Sequence, residues 1–422
     1  MCSNSSTSDA AVALAGKVTA LTQEQLTGGG AVLLLNGGDP DGIWMLDTFT
    51  INDQEYKLPG FDGELITGVC NETGCQGTYI NGICSANDAH YQAAVYNETD
   101  SVYEISNGGQ LFSFAAMVNA GNAEVTRVKA KLTKDINLDN HPWTPIGTKA
   151  NPFVGTFDGN GKTISGLNLT TTGAAHEGLF GYVISSTVKN FTVDGGITID
   201  VSKTANEGNL GVIGYAGSGT VIQNITSHVE VAVNDAVTNG KYQYVGGIVG
   251  NFDSGLLEKC IWDGVIDEGN WTINRFAGIA GRMGGSASIT NSASYGTLKS
   301  KNAKADLAGI VGWANNPGGI RSSLFAGELL YEGTGSVNYT VIASVGSSCT
   351  ADKLTGLYYV NDTGYVAGKP DTVFSNAEAV TRDEAFSRSM VWKLNGKKKT
   401  GNWRYNTGNQ RPEFEGEFVI SE

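Results

Sequence analysis

Basic residues are scarce: 28 Lys and Arg stand against 42 Asp and Glu in 422 residues, a formal net charge of −14. Phosphate backbones require a cationic face, so nucleic acid is excluded as a partner. The one basic run, Lys397-Lys398-Lys399, is too short to reverse that balance. Histidine occurs only four times. His176-Glu177 continues as Gly178-Leu179-Phe180-Gly181, so the HExxH spacing that places two imidazoles on one helix face is missing. His141 and His228 have no Cys or carboxylate at ligand spacing, and a catalytic histidine is not expected. No apolar stretch of about 18 residues is present, which excludes a transmembrane helix. Proline is limited to eight residues and charged residues to 17%.

What is abundant is glycine, with 58 residues. Frequent glycine with few charges suits many short strands joined by tight turns. Much of it falls in one repeating block: Gly178-Leu179-Phe180-Gly181, then GVIG from Gly211, GIVG from Gly247, GIAG from Gly278 and GIVG from Gly309. The starts are 33, 36, 31 and 31 residues apart, and a degenerate copy, Ala343-Ser344-Val345-Gly346, follows 34 later. After each block comes a turn and a second apolar alternation, such as Val188-Lys189-Asn190-Phe191-Thr192-Val193 or Ala287-Ser288-Ile289-Thr290-Asn291-Ser292. Alternation with period two turns one side of each strand inward. A single coil cannot bury that side, whereas stacked coils form a continuous aliphatic ladder. Glycine at both ends of a block permits positive-φ corners and close approach of neighbouring backbones. The predicted fold is all-β, a parallel β-helix with short helical caps and a small N-terminal β-rich or α+β module.

These blocks resemble the GLUG repeat of bacterial surface proteins. Three stretches ahead of them extend the resemblance: Tyr103-Glu104-Ile105-Ser106-Asn107-Gly108-Gly109-Gln110-Leu111, Trp143-Thr144-Pro145-Ile146-Gly147, and Phe153-Val154-Gly155-Thr156-Phe157-Asp158-Gly159-Asn160-Gly161 continuing to Leu167. The resemblance spans roughly residues 101 to 350. It implies a right-handed β-helix of the kind found in adhesins, in wall-attached proteins and in the non-catalytic part of IgA-specific metallopeptidases, and it is poor in information on function.

Four segments follow. Residues 1–15 read as a flexible tether, because Cys2 and the Ser/Thr/Asn run after it look like a bacterial lipoprotein after signal cleavage, with Cys2 as the lipidated residue. Residues 16–100 form the N-terminal module, with Ala31–Leu35 and Ile43–Ile51 expected as strands around a Gly/Asp-rich turn. Residues 101–365 form the β-helix. Residues 366–422 form a C-terminal cap with one helix, opened by the capping box Thr381-Arg382-Asp383-Glu384. At the other end Ser106 is expected to N-cap a helix over 107–120 that covers the first coil.

The candidate chemistry is sparse. Cys70, Cys75, Cys84 and His90 have the spacing C-x4-C-x8-C-x5-H, which offers a Cys₃His zinc set, but a disulfide between two of the three thiols is the favoured reading for an oxidising compartment. Cys260 occupies an apolar repeat position and reads as a small buried side chain. Asp158-Gly159-Asn160-Gly161 lacks the distal Glu of an EF-hand loop and reads as a β-turn. Among the acids, Asp253, Glu258 and Asp263 are the catalytic candidates, with Asp194 and Asp267 near them, since β-helical glycosidases and lyases set two carboxylates on adjacent coils. No acid pair recurs at one repeat position. Tyr182, Tyr215, Trp262, Trp271 and Trp313 are the aromatic candidates for stacking on a ligand, and Phe252 is nearby.

The residues therefore favour recognition over catalysis. The reading is a secreted or surface-exposed bacterial adhesin or interaction module that meets glycan or a host surface protein, tethered to the membrane through a lipidated N-terminus, and needs no cofactor. A carbohydrate-active enzyme of polysaccharide lyase, glycosidase or fructotransferase type, and a purely structural stalk, are the alternatives.

Overall fold

Both middle residues of every Gly-x-x-Gly block are fully buried: Leu179 and Phe180, Val212 and Ile213, Ile248 and Val249, Ile279 and Ala280, Ile310 and Val311. They are stacked in register. Phe180 pairs with Ile213, Ile213 with Val249, Val249 with Ala280, Ala280 with Val311 and Val311 with Ile342, all in parallel. A second ladder faces it across the core: Val188, Ile222, Leu257, Ile289, Ile320 and Leu354 pair successively in parallel, each with no exposed surface. This is the all-β parallel β-helix expected from the repeat, with about six turns. The block strands belong to an 11-stranded sheet and the alternating segments to a 17-stranded one.

The computed structural model describes residues 30–35, 44–51, 54–60, 66–73, 75, 77–121, 127–200, 202, 207–233, 242–269, 274–301, 306–315, 317–333, 338–345, 350–361, 366–368, 376–417 and 419. Cys2, Trp271 and Cys349 lie outside them. The chain divides into two compact units, Met1–Ala93 and Ala94–Glu422.

The block glycines serve close approach and not positive φ. None of them is among the positive-φ residues. A Cβ on Gly178 would lie 2.1 Å from the Gly211 carbonyl oxygen, and one on Gly247 would lie 2.2 Å from Cδ1 of Trp262. The left-handed corners fall elsewhere. Asn160, Asn190, Asn224, Lys259, Asn291 and Ser322 take φ between 46° and 62°, one per coil. Asparagine is the residue that most readily accepts this conformation after glycine, which explains why it lies 12 or 13 residues after the first glycine of three of the five blocks.

The first coil is covered by the helix Gly108–Ala120. Its N-cap is Asn107, one residue later than the sequence predicts, because Asn107 Oδ1 accepts the Gln110 N–H. Ser106 instead donates both its N–H and its Oγ–H to Gln110 Oε1. Phe114 of this helix meets Phe153 and Phe157 at ring-centroid distances of 6.3 Å each, closing the core with aromatics.

The C-terminal segment differs from the expected end cap. The strand Ala377–Val380 does add a rung, pairing with Leu354–Val360. The single predicted helix is two, Arg382–Ala385 and Arg388–Leu394, because Ser387 interrupts the first and N-caps the second through the Met390 N–H. Beyond them the chain lies on the outer face of the 17-stranded sheet, not over the last coil. Trp403, Met390, Val391 and Leu394 bury against Ile261, Ala293, Tyr295, Leu324 and Tyr358, forming a second core outside the solenoid.

In the N-terminal unit Gly30–Leu35 is a helix, not the expected strand. Five apolar residues in a row carry no period, and here Val32 packs on Leu46. Met45–Ile51 is a strand and pairs antiparallel with Gln54–Gly60. Ile66–Val69, Thr78–Ile80, Ile83–Cys84 and Asn87–Tyr91 form a four-stranded antiparallel sheet.

Candidate functional site

The residue that follows each block faces outward. Parallel pairing aligns these positions in one column: Tyr182, Tyr215, Asn251, Arg282 and Trp313. All five are partly exposed, between neighbours that are buried. Adjacent rungs lie about 4.8 Å apart, close enough for aromatic rings at equivalent positions to stack. Tyr182 and Tyr215 do so, with centroids 4.4 Å apart and planes 13° apart. Further along, the Arg282 guanidinium lies 5.3 Å from the centroid of the Trp313 ring. Its Nη1–H donates to Asn251 Oδ1 at 2.8 Å and to Asp253 Oδ1 at 3.3 Å. The column thus carries a tyrosine pair at one end and an arginine-tryptophan pair at the other.

A second column, from the strand before each block, flanks it: His176, Asn209, Tyr244 and Arg275. The two meet because the block bends the chain between them. The His176 ring lies 4.9 Å from Tyr182 and 5.2 Å from Tyr215, and Tyr244 stacks against Trp313 at 6.1 Å. Burial, with Lys149 nearby, pushes His176 down to about 4, so its imidazole is neutral at neutral pH. Asn209 Nδ2 meets its Nδ1 at 2.8 Å. Burial and the neighbouring Asp253 carboxylate push Tyr215 up to about 12, so it remains a phenol that can donate a hydrogen bond. Such a surface can stack on flat apolar faces and offer hydroxyl, amide and guanidinium groups to polar ones.

Of the aromatic candidates, Tyr182, Tyr215 and Trp313 are therefore brought together. Trp262 is not part of this surface. It is fully buried and donates its Nε1–H to the Val229 carbonyl, filling the space left by the missing side chains of Gly247, Gly264 and Gly296. Phe252 is buried as well. Asn251, Arg282 and His176 were missed, although the position after each block's last glycine carried the signal for the first two.

The catalytic candidates are not gathered. Asp253 pairs with Arg282. Glu258 accepts from Gln223 Nε2 at 2.8 Å, and Asp263 is bound to Arg411 at 2.7 Å. Among the described residues the three share no hydrogen-bond partner, and each is held as a structural acceptor. Asp194 and Asp267 accept the backbone N–H groups of Gly166 and Gly269. Asp158 accepts the Asn160 N–H and pairs with Lys189 at 3.2 Å, in the manner of a turn. A cleft of about 230 Å³ lies between the C-terminal segment and the sheet, lined by Asn190, Thr192, Asn224, Thr226, Glu413 and Phe414. Two acids line it, Glu413 and Glu415, and the first is tied to Arg411 at 2.7 Å.

In the N-terminal unit, Cys70, Cys75, Cys84 and His90 converge, with all four donor atoms within 4.8 Å of one another. The expected disulfide is not formed: Cys75 Sγ and Cys84 Sγ stand 3.2 Å apart, and Cys70, Cys75, Cys84 and Cys260 are all free thiols. Cys260 is fully buried between rungs of the solenoid.

Among the described residues no helix is long and apolar enough to cross a membrane. No family profile and no curated protein sequence matches the chain. Among solved structures, the chain is similar to a crystal structure described as a "putative immunoglobulin A1 protease" from Bacteroides ovatus, with a TM-score of 0.49 and 18% identity over 75% of this chain and 93% of that one.

Proposed function

We propose that the solenoid is a surface-exposed recognition module that binds a glycan or a glycosylated host surface protein along the outward column Tyr182, Tyr215, Asn251, Arg282 and Trp313. The observation that carries this reading is the alignment of these five side chains, one per coil, on an otherwise regular ladder. The inward positions are fixed by packing, so a varied outward column is where sequence is free to encode a ligand. Stacked tyrosines and a tryptophan suit the apolar faces of sugar rings, and Arg282, Asn251 and the phenols suit their hydroxyls. We assign the repeats to the GLUG type and the protein to the bacterial cell surface as an adhesin, held through a lipid on Cys2. The scattered and individually paired Asp253, Glu258 and Asp263 favour binding over turnover.

The test is retention of the full chain on an array of host and bacterial glycans and glycoproteins, with product release measured in parallel. Retention without release is expected. Tyr215→Ala and Trp313→Ala should each weaken it about fivefold, the loss of about 1 kcal/mol per ring, with both variants still folded by circular dichroism at the assay temperature. Binding unchanged by both substitutions, or release abolished by Asp253→Asn, would overturn the proposal.

A further inference from the structure

The four-stranded sheet of the N-terminal unit has strands of two to five residues, and such a sheet is marginal without a substantial core. The buried cluster on it consists of Cys70, Tyr79 and Cys84, with Cys75 packed at its edge. Three of those four residues are cysteines. Where a leucine or valine core would be expected, the sheet points sulfur at sulfur.

We propose that Cys70, Cys75, Cys84 and His90 bind one zinc ion in a closed tetrahedral site that holds this sheet together, independently of the recognition column. Zinc takes sulfur at about 2.3 Å, so the edges of a tetrahedron of thiolates are about 3.8 Å long. The distances found lie near that edge: Cys75 Sγ to Cys84 Sγ is 3.2 Å and Cys70 Sγ to His90 Nδ1 is 3.7 Å, with every pair of donor atoms inside 4.8 Å. Three soft thiolates and an imidazole select zinc over calcium or magnesium, which take oxygen.

The backbone is arranged to present these sulfurs. Cys70 accepts a hydrogen bond from the backbone of Glu72, two residues on, and Cys84 accepts them from Ala86 and Asn87, two and three residues on. Amide groups aimed back at a cysteine sulfur fix its direction. Cys75 is brought round by its own N–H donating to the Glu72 carbonyl at 3.0 Å. Gly77 passes directly over the group: a Cβ there would lie 2.6 Å from Cys84 Sγ. The far side of the imidazole is also held, since His90 Nε2 meets Asn87 Nδ2 at 3.0 Å. Asn87 Oδ1 in turn accepts the Ala89 N–H at 3.0 Å, so the amide is fixed beside the ring.

Zinc content of the full chain, purified under reducing conditions, tests the proposal, together with its absorption spectrum on titration with cobalt(II). One zinc per chain is expected, and cobalt should give a thiolate charge-transfer band that zinc abolishes at one equivalent. Cys84→Ser should lose the bound zinc by at least about 100-fold in affinity, whereas His90→Cys should keep one equivalent with an altered cobalt spectrum. Cys260→Ala should change nothing. The unaltered chain is the decisive sample, so a variant that fails to fold leaves the test intact. Zinc below about a tenth of an equivalent with no cobalt–thiolate band, or a Cys75–Cys84 disulfide in the metal-free protein, would overturn the site. Neither result would touch the recognition surface, which is read on a separate array.

Discussion

Arg411 reaches from the C-terminal segment across the outer face of the sheet to Asp263, with Nη1 2.7 Å from Oδ2. The same guanidinium pairs through Nε with Glu413 at 2.7 Å and lies over the Tyr295 ring at 4.2 Å. Asp263, a catalytic candidate by sequence, is thus one anchor of a strap that joins chain positions nearly 150 residues apart. Replacing Arg411 by Ala leaves two partly buried carboxylates facing each other without a counter-charge. A loss of about 1–3 kcal/mol is expected in urea unfolding. Binding to the column on the other sheet should be unaffected.

Gly247 and Gly196 give opposite expectations for the same substitution. A Cβ at Gly247 would meet Trp262 Cδ1 at 2.2 Å and the Gly278 carbonyl oxygen at 2.4 Å, so Gly247→Ala should cost at least about 1–3 kcal/mol by overpacking. At Gly196 nothing lies within 4 Å of the new carbon and φ is ordinary. Gly196→Ala should melt at the wild-type temperature, or slightly above it. Parallel thermal melts of the two variants separate glycine needed for approach from glycine that merely occupies a strand.

The corner residue Asn224 has φ 52°, and its Nδ2 donates to Asn190 Oδ1 at 3.2 Å. Asn224→Ala should cost about 1–2 kcal/mol, mostly from the left-handed backbone. Asn224→Gly, which relieves that strain and loses only an exposed side-chain bond, should recover most of it. Equal destabilisation by both would locate the effect in the side chain.

His176 links the proposed recognition surface to pH. Its folded value is held down to about 4 by burial and Lys149, against 6.5 for the free side chain. Between these values the unfolded chain binds the proton and the folded one does not, so stability should fall as pH drops from about 6.5 to about 4. The groups facing the ring are Tyr182, Tyr215 and Asn209, with Lys149 the nearby charge. Urea midpoints of the wild type and His176→Gln at pH 7 and pH 5 test this. The gap between the two pH values should narrow in the variant, and an unchanged gap would remove His176 as its source.

The solenoid was legible because its determinants repeat. Leu179, Val212, Ile248, Ile279 and Ile310 occupy one place in successive coils, so each confirms the others. Asn190, Asn224 and Asn291 marked the corners, although their backbone conformation was attributed to the block glycines. Trp262 was misjudged for a reason of context: whether a tryptophan points in or out depends on which glycines leave room for it, and of the three here one lies 15 residues before it, one 2 after and one 34 after. The strap was illegible, since nothing local to Arg411 names Asp263 as its partner. The cysteine cluster was visible as spacing, but its convergence depends on hairpin register, and sequence alone left pairing and coordination both open.

The outward column also has a metric property. Successive side chains on it are separated by the distance between hydrogen-bonded strands, about 4.8 Å, and no substitution in the column can alter that interval. It therefore works as a ruler with fixed graduations, on which the chemistry at each mark is free to change. Inserting or deleting one whole coil would lengthen or shorten the reach by a single graduation while leaving every other mark in place, so under the proposed function the size of ligand read changes independently of its chemical character.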